Sequence, residues 1–392
     1  MSDNGLRSHR LDGLKQGIFA ELTAKKEEVE RSGRKIYNLF VGTPDFLPSE
    51  HIVKTLSEAA ADPLNYKYTL KDMDELSVAV SKYYKKRFEA DIEPDCIALV
   101  NGTQRGMPDL MMAIMDPDDL VLVPDPGYPV FEAAVRLCGA KPYYYTLKEE
   151  NSFLPVLSEI PEEIAYRAKA MVVSYPYNPV CRKAPKSFYE ELIAFAKKYD
   201  IFIIHDNAYS DIVFDGEKGG SFLAIDGAKD VGGEFFSLSK SFNVTGARIS
   251  FFLGRKDVVS SLKLYLSQVD FGTFLPVQKA ALAALTGPLD GVEKQRMLYQ
   301  ERRDALCQGL RNIGWNVPDS EGTMFVWAPI PEGYKTSREF VGAMLEKAGV
   351  LCTPGESFGP SGEGYVRFAL VLPPDVIAEA VEAIRVSGVL NR

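Results

Sequence analysis

Seven short apolar runs recur along the middle of this 392-residue chain. Several of them lack the alternation of polar and apolar positions that marks a strand with one solvated face. Unbroken apolar runs of this length are typical of strands covered by helices on both sides, and helical patterns separate them here. The pattern therefore predicts an α/β domain with a mostly parallel seven-stranded sheet. The predicted strands are 97–100, 120–123, 142–145, 171–174, 201–205, 234–238 and 249–253.

Helical spacing frames this region at both ends. Phe19, Leu22 and Val29 predict an amphipathic helix over 17–32 that Gly33 can end. Beyond Pro276 the pattern is helical again and then mixed, with helices at 277–285 and 293–314 and strands at 323–328 and 365–370. We expect a smaller α+β domain over 286–392, joined by an N-terminal segment over 1–44, and a large domain over 45–285.

Composition and charge exclude several classes of protein. With 46% hydrophobic and 25% charged residues the chain is typical of a globular protein, and its length allows two domains. A formal net charge of -9 argues against a general binder of nucleic acid or of anionic membranes. The polar N-terminus lacks the apolar core of a signal peptide, and no apolar stretch is long enough to cross a bilayer.

The cysteines and histidines give little support to metal or disulfide chemistry. The five cysteines are dispersed without CxxC pairing, which suits reduced thiols in a cytoplasmic protein. The three histidines lie far apart and form no metal-ligand spacing, so we expect no metal site. A Ser-His-Asp hydrolase is also disfavoured, because His205 and Asp206 are direct neighbours that point to opposite faces of a strand.

Polar segments follow five of the predicted strands at their carboxyl ends. In an open α/β sheet, ligands bind outside this edge. A sheet assembled only for stability would not need five polar loops there, so we expect them to form one site. The segments are 101–104, 124–128, 175–179, 206–209 and 237–240.

Lys240 ends an apolar run, where partial desolvation would lower its pKa and make it a usable amine nucleophile. Taken alone, a lysine at a strand end is more often an ordinary solvated residue. Arg248 follows eight residues later, and hydroxyls at Ser237 and Ser239 flank the lysine. Hydroxyls, backbone amides and an arginine are the groups that bind a phosphate monoester.

Asp206 and Tyr209 supply a complementary pair in the segment DNAY. A carboxylate at a strand end can keep a pyridine nitrogen protonated, which makes the ring an electron sink. Tyr209 can donate to a phenolate oxygen on the same ring, and the small Ala208 leaves room for a flat ring. A loop aspartate beside a packing tyrosine remains the plainer interpretation of the segment by itself.

Four segments together resemble a known family. SLSKSFNVTGAR, HDNAYSDIVFDG, PDPGYPVF and GEGYVRFAL are similar to class I/II aminotransferases of the pyridoxal 5'-phosphate (PLP) fold-type I group. The resemblance extends from about Phe40 to Leu370 and is strongest to the LL-diaminopimelate aminotransferase-like subgroup. It implies a fold-type I PLP enzyme that acts as a homodimer.

The resemblance also implies a role for each matching residue. Lys240 would carry PLP as a Schiff base and move the substrate proton, while Asp206 pairs with the pyridinium nitrogen. Tyr209 and Asn178 would contact the ring oxygen, and Tyr128 would stack on the ring. The phosphate would bind to Gly102, Thr103, Gln104, Ser237, Ser239 and Arg248, with Tyr68 reaching the phosphate of the partner subunit. The substrate α-carboxylate would bind to Arg367, the Gly42 N–H and Asn178.

Some of these residues allow plainer interpretations on the residues alone, and three segments depart from the family. Asn178 could start a turn and Tyr128 could be a core aromatic. Val180-Cys181 replaces the usual Thr-Gly, which predicts a turn of different shape. Neighbouring basic residues would lower the thiol pKa of Cys181 if it were exposed, although such cysteines are usually inert. Ala247 replaces a bulky residue, and the segment after Tyr68 lacks a glycine and is one residue short.

The resulting hypothesis is a ping-pong transfer of an amino group from an α-amino acid to a 2-oxo acid. A PLP-dependent carbon–sulfur β-lyase shares the same cofactor motifs and remains the enzymatic alternative. A non-catalytic sensor domain is a third possibility, disfavoured because the chain has no spare length or basic segment for a DNA-binding domain. The side chain of the natural substrate stays open.

Overall fold

A computed structural model of the chain describes residues 6–14, 18–31 and 33–391. Its strands are β1 Tyr37–Asn38, β2 Ile97–Val100, β3 Leu120–Asp125, β4 Lys141–Thr146, β5 Ala168–Ser174, β6 Phe202–Asp206, β7 Gly232–Ser237, β8 Ser250–Gly254, β9 Phe325–Pro329, β10 Val350–Leu351, β11 Thr353–Pro354 and β12 Tyr365–Ala369. Its helices are α1 Ile18–Arg31, α2 Glu50–Ala61, α3 Asp74–Phe88, α4 Thr103–Ile114, α5 Pro129–Cys138, α6 Glu162–Arg167, α7 Lys186–Tyr199, α8 Ala228–Val231, α9 Leu238–Ser241, α10 Lys256–Val269, α11 Leu275–Thr286, α12 Asp290–Asn312, α13 Ser337–Ala348 and α14 Pro374–Ser387.

All seven predicted strands form one sheet, in the order β2-β8-β7-β6-β5-β3-β4. β8 runs antiparallel to both of its neighbours, and the remaining pairs are parallel. The prediction of a mostly parallel seven-stranded sheet is therefore confirmed. Five of these strands are buried along their whole length, as expected when helices cover both faces of a sheet.

The residues at the two ends of α5 show why that helix begins and ends where it does. In α5, Pro129 occupies the first turn, where its missing N–H costs no hydrogen bond. The same helix ends at Gly139, whose φ of +89° is the left-handed conformation that glycine adopts most easily. The predicted N-terminal helix is confirmed as α1, although residues 17 and 32 at its predicted ends lie outside the described residues.

The N-terminal and C-terminal parts of the chain pair with each other. Tyr37 of β1 lies opposite Val350 of β10 in a parallel pair, and β11, β12 and β9 form a separate antiparallel sheet. The long helix α12 packs against α14 beside these strands. This pairing agrees with the expected joining of the N-terminal segment to the C-terminal region, while the domain bounds themselves stay predictions.

The described residues contain neither a membrane-spanning helix nor a metal-binding cluster. No helix among them is both long enough and apolar enough to span a bilayer. Within the same ranges, no group of three or more histidine, cysteine, aspartate or glutamate side chains could hold a metal ion.

Candidate active site

A cavity of about 310 Å³ opens at the carboxyl edge of the central sheet. It collects side chains from loops that are distant in sequence, because the carboxyl ends of parallel strands meet at one edge. Twelve of the fourteen predicted site residues line it, and the other two, Gly102 and Tyr68, do not. The twelve are Gly42, Thr103, Gln104, Tyr128, Asn178, Asp206, Tyr209, Ser237, Ser239, Lys240, Arg248 and Arg367.

Lys240 lies in the short helix α9, directly after β7. Its Nζ donates a hydrogen bond of 2.8 Å to the carbonyl oxygen of Gly42. Burial, followed by the charges of Arg367 and Arg248, lowers the pKa of Lys240 to about 8. A substantial share of this amine is therefore neutral near physiological pH, as a nucleophile or a proton acceptor requires.

Asp206 is the last residue of β6 and is buried. Its Oδ1 is buried and has no hydrogen-bond partner among the described residues. Burial raises the pKa of this carboxyl to about 6, partly offset by His205 and by the backbone N–H of Ala208. A cationic donor beside Oδ1 would reverse the shift, because an opposite charge favours the ionised carboxylate.

The other end of the cavity has the chemistry of an anion site. Gly102 adopts φ +82° at the start of α4, and a side chain at this position would overlap the guanidinium of Arg248. Thr103, the first residue of that helix, has a buried Oγ1 that lacks a partner in the described part of the chain. The start of a twelve-residue helix, an arginine and the free hydroxyl of Thr103 together favour a phosphate group.

Arg367 lies in β12 and is 3% exposed. One of its terminal nitrogens donates to Asn178 Oδ1 at 2.7 Å, while its Nε is buried without a partner in the described ranges. Its guanidinium is 4.0 Å from the ring centre of Phe325 and 4.6 Å from that of Phe358. Burial lowers the pKa of Arg367 to about 10, so it carries its charge at neutral pH, and no carboxylate of the described residues forms an ion pair with it.

The sequence did not reveal Phe325 as part of the site. Its ring fills the space beside Gly42, where any side chain would overlap it. Phe325 pairs with Ala369 across the sheet, two residues beyond Arg367, and therefore shares a face with that arginine. Only the register between β9 and β12 reveals this, and no local motif around Phe325 signals it.

Tyr68 lies away from the cavity. Its side chain is 77% exposed, and its ring centre is 5.0 Å from that of Phe271, which is also exposed. Tyr66 and Phe274 form a second exposed aromatic pair with ring centres 5.2 Å apart. Within one subunit, Tyr68 is therefore not part of the site that the other residues form.

Residues 34–384 match the family described as Aminotransferase class I and II. The chain is 43% identical over 383 residues to an LL-diaminopimelate aminotransferase of Halothermothrix orenii, which covers 97% of this chain and 98% of that protein. A protein of the same description from Moorella thermoacetica is 40% identical over 381 residues, which are 96% of this chain and 97% of that protein.

This chain belongs to the class I and II aminotransferase family. Among solved structures, substrate-bound BacF from Bacillus subtilis superposes with a TM-score of 0.92 and 34% identity, covering 97% of both chains. The protein is thus a PLP-dependent enzyme of fold type I that transfers amino groups of amino acids. These relatives do not favour the carbon–sulfur lyase alternative, and membership of an enzyme family argues against the non-catalytic sensor.

The residues of this aminotransferase fit PLP at each of its functional ends. The free Oδ1 of Asp206 suits a protonated ring nitrogen, and the buried Thr103 hydroxyl with Arg248 suits the phosphate. Lys240, whose pKa is lowered to about 8, lines the same cavity and suits the aldehyde. Tyr128 and Tyr209 add aromatic surface and two hydroxyls between these ends.

The structure describes both the backbone and the thiol of Cys181 in the aminotransferase. Cys181 adopts φ +60°, the left-handed conformation that the lost glycine would favour, so the replacement does not exclude that backbone shape. Its thiol is buried, and burial raises its pKa to about 11. The basic neighbours pair elsewhere, Arg182 with Glu321 and Lys183 with Glu217, and do not activate the sulfur.

Proposed function

We propose that the enzyme holds PLP on Lys240 and binds the α-carboxylate of its amino-acid substrate at Arg367. One observation carries the proposal: a buried free acceptor on Asp206 and a buried free donor on Arg367 belong to side chains that line the same cavity as Lys240. Buried polar atoms normally have partners, so the two atoms mark where a cationic ring and an anionic substrate bind.

The proposed roles follow the chemistry of each side chain. Tyr128 stacks on the cofactor ring, and Tyr209 and Asn178 donate to its ring oxygen. The Gly42 N–H joins Arg367 and Asn178 around the α-carboxylate. The phosphate is bound by the N-terminus of α4 and by hydroxyl, amide and guanidinium donors, contributed by Gly102, Thr103, Gln104, Ser237, Ser239 and Arg248.

When bound, PLP supplies an aldehyde that takes up the amino group and a ring that withdraws electrons from the substrate. The protein provides the groups that bind and move protons. Arg367 fixes the carboxylate, and therefore the orientation of the α-carbon. Lys240 Nζ, which is a free amine whenever the substrate amine occupies the aldehyde carbon, would take the proton from the substrate α-carbon and deliver it to the former aldehyde carbon. Asp206 remains ionised and keeps the ring nitrogen protonated throughout.

We further propose a homodimer in which Tyr68 completes the phosphate site of the partner subunit. The two exposed aromatic pairs, Tyr66–Phe274 and Tyr68–Phe271, support this, because monomers rarely expose such clusters. A division into 1–44 with 286–392 as the small domain and 45–285 as the large domain belongs to the same proposal. So does a cytoplasmic location, which five free cysteines support.

LL-diaminopimelate is the first donor to test, and 2-oxoglutarate or pyruvate the first acceptors. The support for this donor is the description shared by the two relatives at 43% and 40% identity. Arg367 reads only the carboxylate that every α-amino acid carries, so it does not by itself select one side chain. A panel of amino donors, scored by loss of the cofactor absorbance in one turnover, ranks them.

The central experiment treats the PLP-loaded protein with borohydride and maps the labelled peptide. We expect the label on the peptide that contains Lys240 and its loss in Lys240→Ala. Lys256→Ala is the matched control, because this lysine lies outside the cavity at the exposed start of α10 and should not affect labelling. A label on any other lysine, or none in the wild-type protein, would refute the proposal.

A further inference from the structure

One face of the long helix α12 lies behind the active site. Gln295, Tyr299 and Arg302 follow one another at spacings of four and three residues, which places them on the same side of a helix. All three are buried, with exposures of 4%, 0% and 5%. Polar side chains are seldom buried to this degree without specific partners, so we expect this face to make specific hydrogen bonds.

Gln295 binds the backbone of the catalytic lysine. Its Nε2 donates to the carbonyl oxygen of Lys240 at 2.7 Å, and its Oε1 accepts from Asn243 Nδ2 at 2.9 Å. The same Asn243 amide also reaches the carbonyl oxygen of Leu47 at 3.4 Å. One side chain of α12 therefore holds the loop after Lys240 and, through Asn243, contacts the segment that follows Gly42.

Arg302 binds the two elements that would receive the substrate carboxylate. Its terminal nitrogens donate to both oxygens of Asp45 at 2.7 and 2.8 Å, and Asp45 lies three residues after Gly42. One of these nitrogens also donates to the carbonyl oxygen of Leu370 at 2.8 Å. Leu370 directly follows β12, the strand that carries Arg367. The planar guanidinium thus links the Gly42 loop to the Arg367 strand.

We propose that Gln295 and Arg302 are positioning residues of the transamination site. Through them α12 holds the Lys240 loop, the Gly42 loop and the Arg367 strand at one fixed separation. The inference rests on the roles proposed above for Lys240, Gly42 and Arg367. The chemistry requires such a device, since Lys240 Nζ must reach the α-carbon of a substrate whose carboxylate is fixed at Arg367. A displacement of about 1 Å can cost on the order of a hundredfold in rate.

The two residues have separable effects that single-turnover kinetics can measure. Asp45→Asn and Arg302→Lys weaken the link to the Gly42 loop, so each should raise the Kd of the amino donor about tenfold. Their double variant should be no worse than either single change, because both remove one interaction. Gln295→Leu frees the Lys240 backbone and should slow the proton step, with a larger isotope effect for an α-deuterated donor.

Tyr299→Phe is the matched control. Tyr299 lies between the two residues on the same face, and its buried hydroxyl, near Gln295, makes no hydrogen bond of ordinary geometry among the residues that the structure describes. We expect Kd, rate and isotope effect to stay within threefold of the wild-type values. If Arg302→Lys fails to fold, Asp45→Asn tests the same interaction. The Asp45 side chain is 39% exposed, so its replacement should disturb folding less.

The inference is overturned if the folded variants keep wild-type Kd, rate and isotope effect, or if Tyr299→Phe shows the same losses. Failure of the proposed function has a different signature. In that case the wild-type protein itself does not react with any amino donor, whereas here it reacts and only the helix-face variants differ from it. The absorbance of bound cofactor, recorded for every variant, verifies that each still holds PLP.

Discussion

Replacing Arg367 by lysine tests the substrate site most directly. The substitution keeps a positive charge but removes the planar fork that can hold both oxygens of a carboxylate. In the wild-type protein one terminal nitrogen donates to Asn178 at 2.7 Å and the other donates to Thr353 Oγ1 at 3.4 Å, which leaves Nε and the second hydrogen of each terminal nitrogen for the substrate. A lysine ammonium in the same place cannot serve Asn178 and both carboxylate oxygens with the same geometry.

The structure sets the size of the effect. Losing one hydrogen bond to a charged group costs about 1.5–3 kcal/mol. At about 1.4 kcal/mol per factor of ten, the Kd of an amino-acid donor should rise roughly 10- to 150-fold. Arg367 keeps its charge below a pKa of about 10, so at pH 8 the comparison starts from a fully cationic arginine.

The assay is a single turnover in which loss of cofactor absorbance is followed against donor concentration. A primary amine that has the same side chain but lacks the carboxylate should lose little affinity, since it has nothing for the fork to hold. Arg385→Lys makes the same chemical change on the exposed side of α14 and should have no effect. A Kd within threefold of wild type, or an equal loss for the amine, would refute the assignment of Arg367.

Three further predictions concern the cofactor. Burial lowers the pKa of Lys240 to about 8, so the neutral amine prevails above that pH. The rate at which cofactor-free protein captures pyridoxal should therefore rise with pH to a plateau, with a midpoint near 8. A midpoint near 10.5, the ordinary pKa of lysine, would contradict this. Asp206→Asn removes the charge opposite the ring nitrogen and should lower kcat by about 10²–10³, measured with saturating donor, and a loss below tenfold would count against the pairing. Gly102→Ala places a methyl group against the guanidinium of Arg248 and should raise the Kd for PLP about tenfold in a fluorescence titration, about 1.4 kcal/mol, because the displaced guanidinium binds the phosphate less well. Gly314→Ala, at φ +90° in open space, carries the backbone strain of a positive φ without the contact and should leave PLP affinity unchanged.

Most of the fold was predictable because a buried strand can be recognised from a short apolar run in the sequence. Runs such as 97–100 and 120–123 are apolar throughout, and each forms a strand of the sheet. The direction of β8 was not predictable, because an unbroken apolar run carries no sign of which way its neighbours run. The order of the strands likewise depends on how the connections cross the sheet, which the runs do not encode.

The cofactor end of the site was predictable for a similar reason. Asp206 ends β6 and Lys240 lies in the short helix that follows β7, so the strand ends bring both residues to one edge. Phe325 and Arg302 could not be found in this way, because their roles depend on pairing with residues far away in sequence. The burial of Cys181, which raises its thiol pKa, likewise could not be predicted from the neighbouring residues.

The antiparallel direction of β8 explains why two site residues, Lys240 and Arg248, can lie close together in the sequence. Since β8 runs against β7, its first residue lies at the edge where β7 ends, and Arg248 arrives there just before it. In the opposite orientation the five-residue strand would carry this arginine about 17 Å away, at roughly 3.3 Å per residue. As it is, one uninterrupted stretch, 237–248, contains both the lysine proposed to hold PLP and the arginine proposed to bind its phosphate. Replacing the corresponding segment of a relative by residues 237–248 would therefore exchange both proposed PLP contacts, Lys240 and Arg248, in one step.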